Sequence, residues 1–225
     1  MKMNTVARRQ LMKATSGQCV VLAVLLLGIL GGAPAVANMV ITEYMYSGTG
    51  GEFVEFTNIG DTPIDMTGWS YDDDSRIPGA LDLSGFGIVA PWQSVIITED
   101  DAATFIADWS LSGVVVLGGY TNNLGRNDEI NLFDATDTLV DRLTYGDEDF
   151  EGTIRTRYIS GNPATPAALG ENDIYQWVLS EVGDEFGSYP SANDDIGNPG
   201  YYVPEPGTMA LFFLPALLSL ARRRA

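Results

Sequence analysis

Apolar and polar residues alternate in short runs along most of this chain, with glycine, proline, asparagine and aspartate between the runs. In 52–58, Val54 and Phe56 fall on one side of a strand and Glu55 and Thr57 on the other. Residues 38–46 are rich in β-formers, and the loop Ser47, Gly48, Thr49, Gly50, Gly51 joins the two runs. Residues 64–71, 87–89, 94–98 and 114–117 read as further strands, with a Pro91-Trp92 turn between the second and third. Ile130 and Leu132 alternate with Glu129 and Asn131, and Leu139, Asp141, Leu143 and Tyr145 share one predicted face. One short helix is predicted near residues 102–109, where Ala102, Phe105, Ile106 and Trp109 fall at helical spacing. Thr98 or Asp100 is its expected cap, and its expected place is one end of the body. Many short strands and no long helix predict an all-β sandwich or barrel.

The two ends break this pattern. Lys2, Arg8, Arg9 and Lys13 precede an apolar stretch over residues 20–31, and Ala35 and Ala37 stand at the −3 and −1 positions of a signal-peptidase site. The expectation is a signal helix in 1–37, cleaved after Ala37. Arg8-Arg9 also fits a twin-arginine signal, so the export route stays open. At the other end, Val203, Pro204, Glu205 and Pro206 precede an uncharged apolar run over 207–221, followed by Arg222, Arg223 and Arg224. As a helix those 15 residues would reach only ~22 Å, against a hydrocarbon core of ~30 Å. Pro215 would kink it. A segment that pauses in the membrane until cut tolerates such a length, and the arginines would stay on the cytoplasmic side. Motif, apolar segment and basic end together resemble the PEP-CTERM tail. The resemblance implies an exosortase as partner, a transient C-terminal transmembrane sorting helix in the inner membrane of a Gram-negative bacterium, and delivery to the cell surface or an extracellular matrix. Whether the product is attached covalently or released stays open.

Between leader (1–37) and tail (202–225) lies one domain, 38–201. Its composition narrows what it does. There is no histidine, and Cys19, the single cysteine, falls in the leader. This leaves no Ser-His-Asp or Cys-His nucleophile, and no zinc site of nitrogen and sulfur ligands. Five arginines (Arg76, Arg126, Arg142, Arg155, Arg157) face all thirty acidic residues in the part between the cleavage site and Glu205, a net charge of about −25. Such a polyanion is a poor partner for nucleic acid or an anionic membrane surface. Paired carboxylates are abundant enough that a carboxylate-dependent polysaccharide hydrolase is not singled out by them. The reading is therefore non-catalytic, with no cofactor required.

Two binding chemistries stand beside that reading. Asp72 and Asp74, and Asp147 and Asp149, are candidate Ca2+ ligands. The run from Asp147 begins like an EF-hand loop, with Gly152 at the sixth position, but Tyr158 occupies the twelfth, where a bidentate glutamate belongs. Trp92, after a proline in a turn, is the candidate platform for stacking a glycan, whereas Trp69 beside Gly68 reads as core.

The ordered series Glu52-Phe53-Val54-Glu55-Phe56-Thr57-Asn58, Ile64-Asp65-Met66-Thr67-Gly68-Trp69-Ser70, Pro91-Trp92-Gln93-Ser94-Val95-Ile96-Ile97, Asn127 to Asp134 and Leu139 to Tyr145 is similar to lamin-tail domains of the bacterial type. Trp177-Val178 and Gly197-Asn198-Pro199-Gly200 are similar to their closing element, which takes the resemblance over about 40–200. Residues 146–179 are longer and more acidic than that pattern. The resemblance implies an immunoglobulin-like β-sandwich serving as a binding or scaffold module. Exopolysaccharide or other surface proteins are the expected partners.

Overall fold

The computed structural model describes residues 39–202. Ala35, Ala37, Val203, Pro204, Glu205, Pro206, Arg222, Arg223 and Arg224 lie outside the described residues, as do the two terminal helices expected from the sequence. Among the described residues no helix is long and apolar enough to cross a membrane.

The described residues form fourteen strands: β1 Met39–Met45, β2 Phe53–Asn58, β3 Ile64–Asp65, β4 Ser70–Asp72, β5 Leu81–Asp82, β6 Ile88–Val89, β7 Ser94–Thr98, β8 Val115–Gly118, β9 Asp128–Phe133, β10 Leu139–Tyr145, β11 Gly161–Pro163, β12 Trp177–Leu179, β13 Tyr189–Pro190 and β14 Ile196–Gly197. A six-stranded sheet has the order β12-β11-β1-β2-β7-β8, and a four-stranded sheet the order β10-β9-β4-β5. Pairing is antiparallel except between β7 and β8. The inner faces meet in one core. Met39, Ile41, Tyr44, Val54, Phe56, Val95 and Ile97 come from the larger sheet, and Tyr71, Ile130, Leu132, Leu143 and Tyr145 from the smaller. Trp69 and Trp177 are buried in it. This is a sandwich of the expected class.

Both faces of the larger sheet are buried along its central strands β1, β2 and β7. All six residues of β2 are covered, Glu55 and Thr57 included. A second apolar cluster on that sheet's outer side joins Met45, Phe53 and Ile96 to Phe105 and Trp109. The helix α1 (Ala102–Asp108) therefore lies on a sheet face and not over an end of the body. Its cap is Asp101, which accepts the N–H groups of Ala103 and Thr104, each at 3.1 Å. Thr98 cannot serve, because it ends β7 and its hydroxyl donates to the Glu52 carbonyl at 2.8 Å. The helix start runs so close to the end of β8 that a Cβ on Gly118 would sit 2.3 Å from the Ala102 nitrogen.

Two further expectations are corrected. Residues 64–71 form two short strands, β3 and β4, in different sheets, with a turn at Gly68 (φ +77°) between them. Leu139 leaves the face of Asp141, Leu143 and Tyr145 because the register with β9 shifts between Leu139 and Asp141. One extra residue turns each earlier side chain to the opposite side, and Leu139 is exposed.

Candidate functional site

The outer face of the smaller sheet carries a continuous polar row. Alternation that sends Ile130, Leu132, Leu143 and Tyr145 inward sends Glu129, Asn131, Arg142 and Thr144 outward. Thr144 and Glu129 are cross-strand partners, as are Arg142 and Asn131. The Thr144 hydroxyl donates to Glu129 Oε1 at 3.0 Å, and Arg142 Nε donates to Asn131 Oδ1 at 2.5 Å. Arg76 reaches the row from the turn after β4. Its Nε and Nη2 donate to the two Glu129 oxygens at 2.7 and 2.6 Å, a bidentate pairing. These bonds, Arg76 foremost, hold the Glu129 carboxyl down at about 2.

The turn that delivers Arg76 is built around buried Asp72. Its carboxylate accepts the Ser75 hydroxyl at 2.6 Å, the Ile77 N–H at 2.5 Å and the Asn122 amide at 3.0 Å. Arg76 itself is held in the left-handed region, φ 55°, where non-glycine residues are uncommon.

The segment after Asp147 walls the row on its other side. Asn172 Oδ1 accepts the Thr144 N–H at 2.6 Å and its Nδ2 donates to the Thr144 hydroxyl at 3.1 Å. β10 is an edge strand, so Asn172 covers part of that edge. Asp173 caps the short turn Ile174–Gln176, and Ile174 anchors it in the core. Tyr175 then projects outward, 64% exposed. Its ring stands edge-on to Phe150, with centroids 6.4 Å apart. Together these residues line an open cleft of about 280 Å³. It offers fixed donors and acceptors beside an exposed aromatic ring. The Glu129 carboxylate is neutralised by Arg76 and has little basicity near neutral pH, and the Asp173 carboxylate accepts the Tyr175 N–H and the Gln176 amide, so the arrangement suits binding better than proton transfer.

A second polar cluster is sealed from solvent. Glu43 on β1 and Glu55 on β2 are cross-strand partners on the outer face of the larger sheet, both fully buried. The chain from Ser180 to Gly200 lies over them. Glu43 Oε1 accepts the Asn198 N–H at 2.8 Å and the Ser160 hydroxyl. Glu55 accepts the Gly200 N–H at 2.5 Å and the Thr42 hydroxyl at 2.6 Å. Burial raises both carboxyls above their ordinary range, and in Glu43 the neighbouring Glu55 adds to the rise. This cluster fastens the C-terminal segment and is closed to ligands.

The residues singled out from the sequence are placed elsewhere. Trp92 is half-buried in its turn at φ 62°, with its N–H on the Asn58 carbonyl at 2.6 Å, and it does not line the cleft. Asp72 organises its own turn, while Asp74 is exposed. Asp147 accepts both arms of Arg126, at 2.7 and 2.6 Å, and Asp149 is exposed. Among the described residues no group of three or more His, Cys, Asp or Glu is arranged to hold a metal ion. Arg76, Glu129 and Tyr175 were not indicated by motif. The available signal was the outward polar side of β9 and β10, which the alternation shows.

No curated protein and no solved structure matches this chain. The resemblance read over about 40–200 is matched only in part by the family model, which leaves out the closing element and most of the 146–179 stretch. The Lamin Tail Domain model matches residues 32–147, just over half of the 225 residues, and the chain belongs to that family.

Proposed function

We propose that this is a non-catalytic exported protein, cut from its leader by signal peptidase, sorted by an exosortase, and displayed at the cell surface or in the extracellular matrix with a structural or adhesive role. The observation that carries the proposal is the tail: Val203-Pro204-Glu205-Pro206, an uncharged run too short for an ordinary anchor, and Arg222, Arg223, Arg224 at the end. Membership of the lamin-tail family supports a scaffold or binding module, since such a fold carries no reaction of its own accord. The sandwich and its strongly acidic surface favour a soluble extracellular body attached through its end.

Intact-mass analysis of the protein from native cells, with and without the exosortase, tests this. The expected product begins near Asn38 and ends near Pro204 to Pro206 only when the exosortase is present. A product that keeps Arg222, Arg223 and Arg224 in both strains would make the segment a plain anchor and remove the sorting proposal.

A further inference from the structure

The cleft on the smaller sheet is assembled by three stretches far apart in sequence: the turn of Arg76, the strand pair of Glu129 and Thr144, and the segment of Phe150 and Tyr175. Its polar floor is already fixed. Thr144, Asn172, Glu129 and Arg76 hold one another, so a ligand would meet groups that need no ordering on binding. Donors remain after this internal pairing. Nη1 of Arg76 has no hydrogen-bond partner among the described residues, and the Asn172 amide has a second N–H beyond the one on Thr144. The Tyr175 ring is largely in water, which costs hydration free energy unless something covers it.

The surroundings select among ligand classes. A volume of about 280 Å³ and an open lining that mixes polar groups with Phe150, Ile174 and Tyr175 suit one small amphipathic ring and not a buried apolar molecule. Addition of a peptide strand to β10 is obstructed at Thr144, whose N–H is already on Asn172. Asp173 in the lining offsets the arginine, and the chain's large net negative charge opposes acidic polymers. What fits is an uncharged ring with hydroxyls at its rim and C–H groups on its faces.

We propose that this cleft is a carbohydrate site that seats a neutral pyranose unit of a polysaccharide on Tyr175, with Arg76 Nη1 and the Asn172 amide donating to its hydroxyls. The site deepens the adhesive role proposed above, and rests on that role only for where the polysaccharide is met.

The test is affinity electrophoresis of the full-length protein in detergent, in native gels containing dextran, a β-1,3-glucan, galactomannan or the acidic polymer polygalacturonate. Retardation by at least one neutral polymer is expected. Tyr175→Ala should weaken it about tenfold or more, the scale of one lost aromatic contact in a small site. Tyr175→Phe and Trp92→Ala should leave it in place. An exposed tyrosine is not needed for folding, so the Tyr175→Ala melting temperature should stay within about 2 °C of the parent. No retardation by any neutral polymer, retardation by polygalacturonate alone, or retardation indifferent to Tyr175→Ala would overturn the proposal. Because purified protein is used, these outcomes are independent of whether the tail is cut in cells.

Discussion

The stretch matched by the family, up to residue 147, and the stretch that follows it are built on different physics. The first carries all the long strands, β1, β2, β7, β9 and β10, whose apolar sides meet across the sandwich, and it supplies nearly the whole inner core. The second has two- and three-residue strands, two 3-10 turns and few apolar anchors, chiefly Ile174 and Trp177. It is held largely by polar contacts to the first: the Asn198 and Gly200 N–H groups donate to Glu43 and Glu55, the Ser160 hydroxyl donates to Glu43, and Asn172 accepts the Thr144 N–H at the edge of β10. Thr49 and Gly50, in the loop after β1, hold Asp195 in return. Glu43 and Glu55 are thus acids on the family's strands with donors on the appended segment, and Asp195 is the reverse case. A buried carboxylate without partners is costly, so the two regions are completed only by each other.

The strongest way to break this comparison is Trp177→Ala. Trp177 is the appended segment's largest apolar side chain in the shared core, edge-on to Tyr44 at 5.6 Å. If the segment is an integral layer, the variant should lose about 3–5 kcal/mol in urea unfolding. A loss below ~1 kcal/mol would mean the segment is only draped on a finished domain.

Gly197→Ala probes the polar fastening instead. A Cβ there would lie 2.7 Å from Glu43 Oε1 and 2.9 Å from Ser160 Oγ. Overpacking of this kind should cost about 1–3 kcal/mol in the same assay. An unchanged midpoint would show that the strap is loose over the carboxylates.

The same pair sets a pH dependence. The folded-state pKa is raised by burial in Glu43 and Glu55, to about 7 in Glu52 and to about 6 in Asp141. The folded protein therefore holds protons that the unfolded chain releases near its ordinary carboxylate values. Stability is fullest below those values and falls as pH rises toward about 7. Glu129, with its pKa lowered to about 2, acts oppositely and loses its contribution as pH falls below the ordinary value. Thermal melts should show the protein ~1–3 kcal/mol more stable near pH 5 than near pH 8. Net negative charge pushes the same way, so Glu55→Gln, which keeps the shape, should flatten the slope without abolishing it. A slope untouched by Glu55→Gln would remove Glu55 from the linkage and leave the effect to Glu43, Glu52, Asp141 and the overall charge.

Much of the first region was legible in the sequence. The alternation of Val54 and Phe56 against Glu55 and Thr57 fixed a strand, and the same period placed Ile130 and Leu132 inside. What the alternation did not disclose was that Glu55 faces a second layer and not water, because its cover comes from Gly200, far along the chain. The bulge that displaced Leu139 is a backbone event with no residue signature. The cleft was less legible still. Arg76 meets Glu129 only because the buried Asp72 folds the turn between them, and Tyr175 arrives from a third segment whose turns carry no periodicity. Asp72 and Asp147 were candidate cation ligands in the sequence, yet both are structural acceptors, Asp72 for its own turn and Asp147 for Arg126.

The smallest expected effect concerns calcium, and it sharpens the boundary between the regions, since Asp147 is the last residue of the family match. The sequence offered Asp147 and Asp149 as candidate ligands in a run that departs from the EF-hand pattern at Tyr158. In the fold Asp147 is occupied by Arg126, which also reaches Glu148, and the arginine holds the Asp147 carboxyl below its ordinary range. A divalent cation entering there would have to displace a guanidinium and would then gather too few oxygens for the six to eight that calcium takes. Melting temperatures in millimolar calcium and in chelator should therefore coincide at constant ionic strength. A rise with calcium that disappears in Asp147→Asn would show that the ion pair yields to the metal. The junction between family domain and appended segment would then be a regulated one, and no longer a fixed seam.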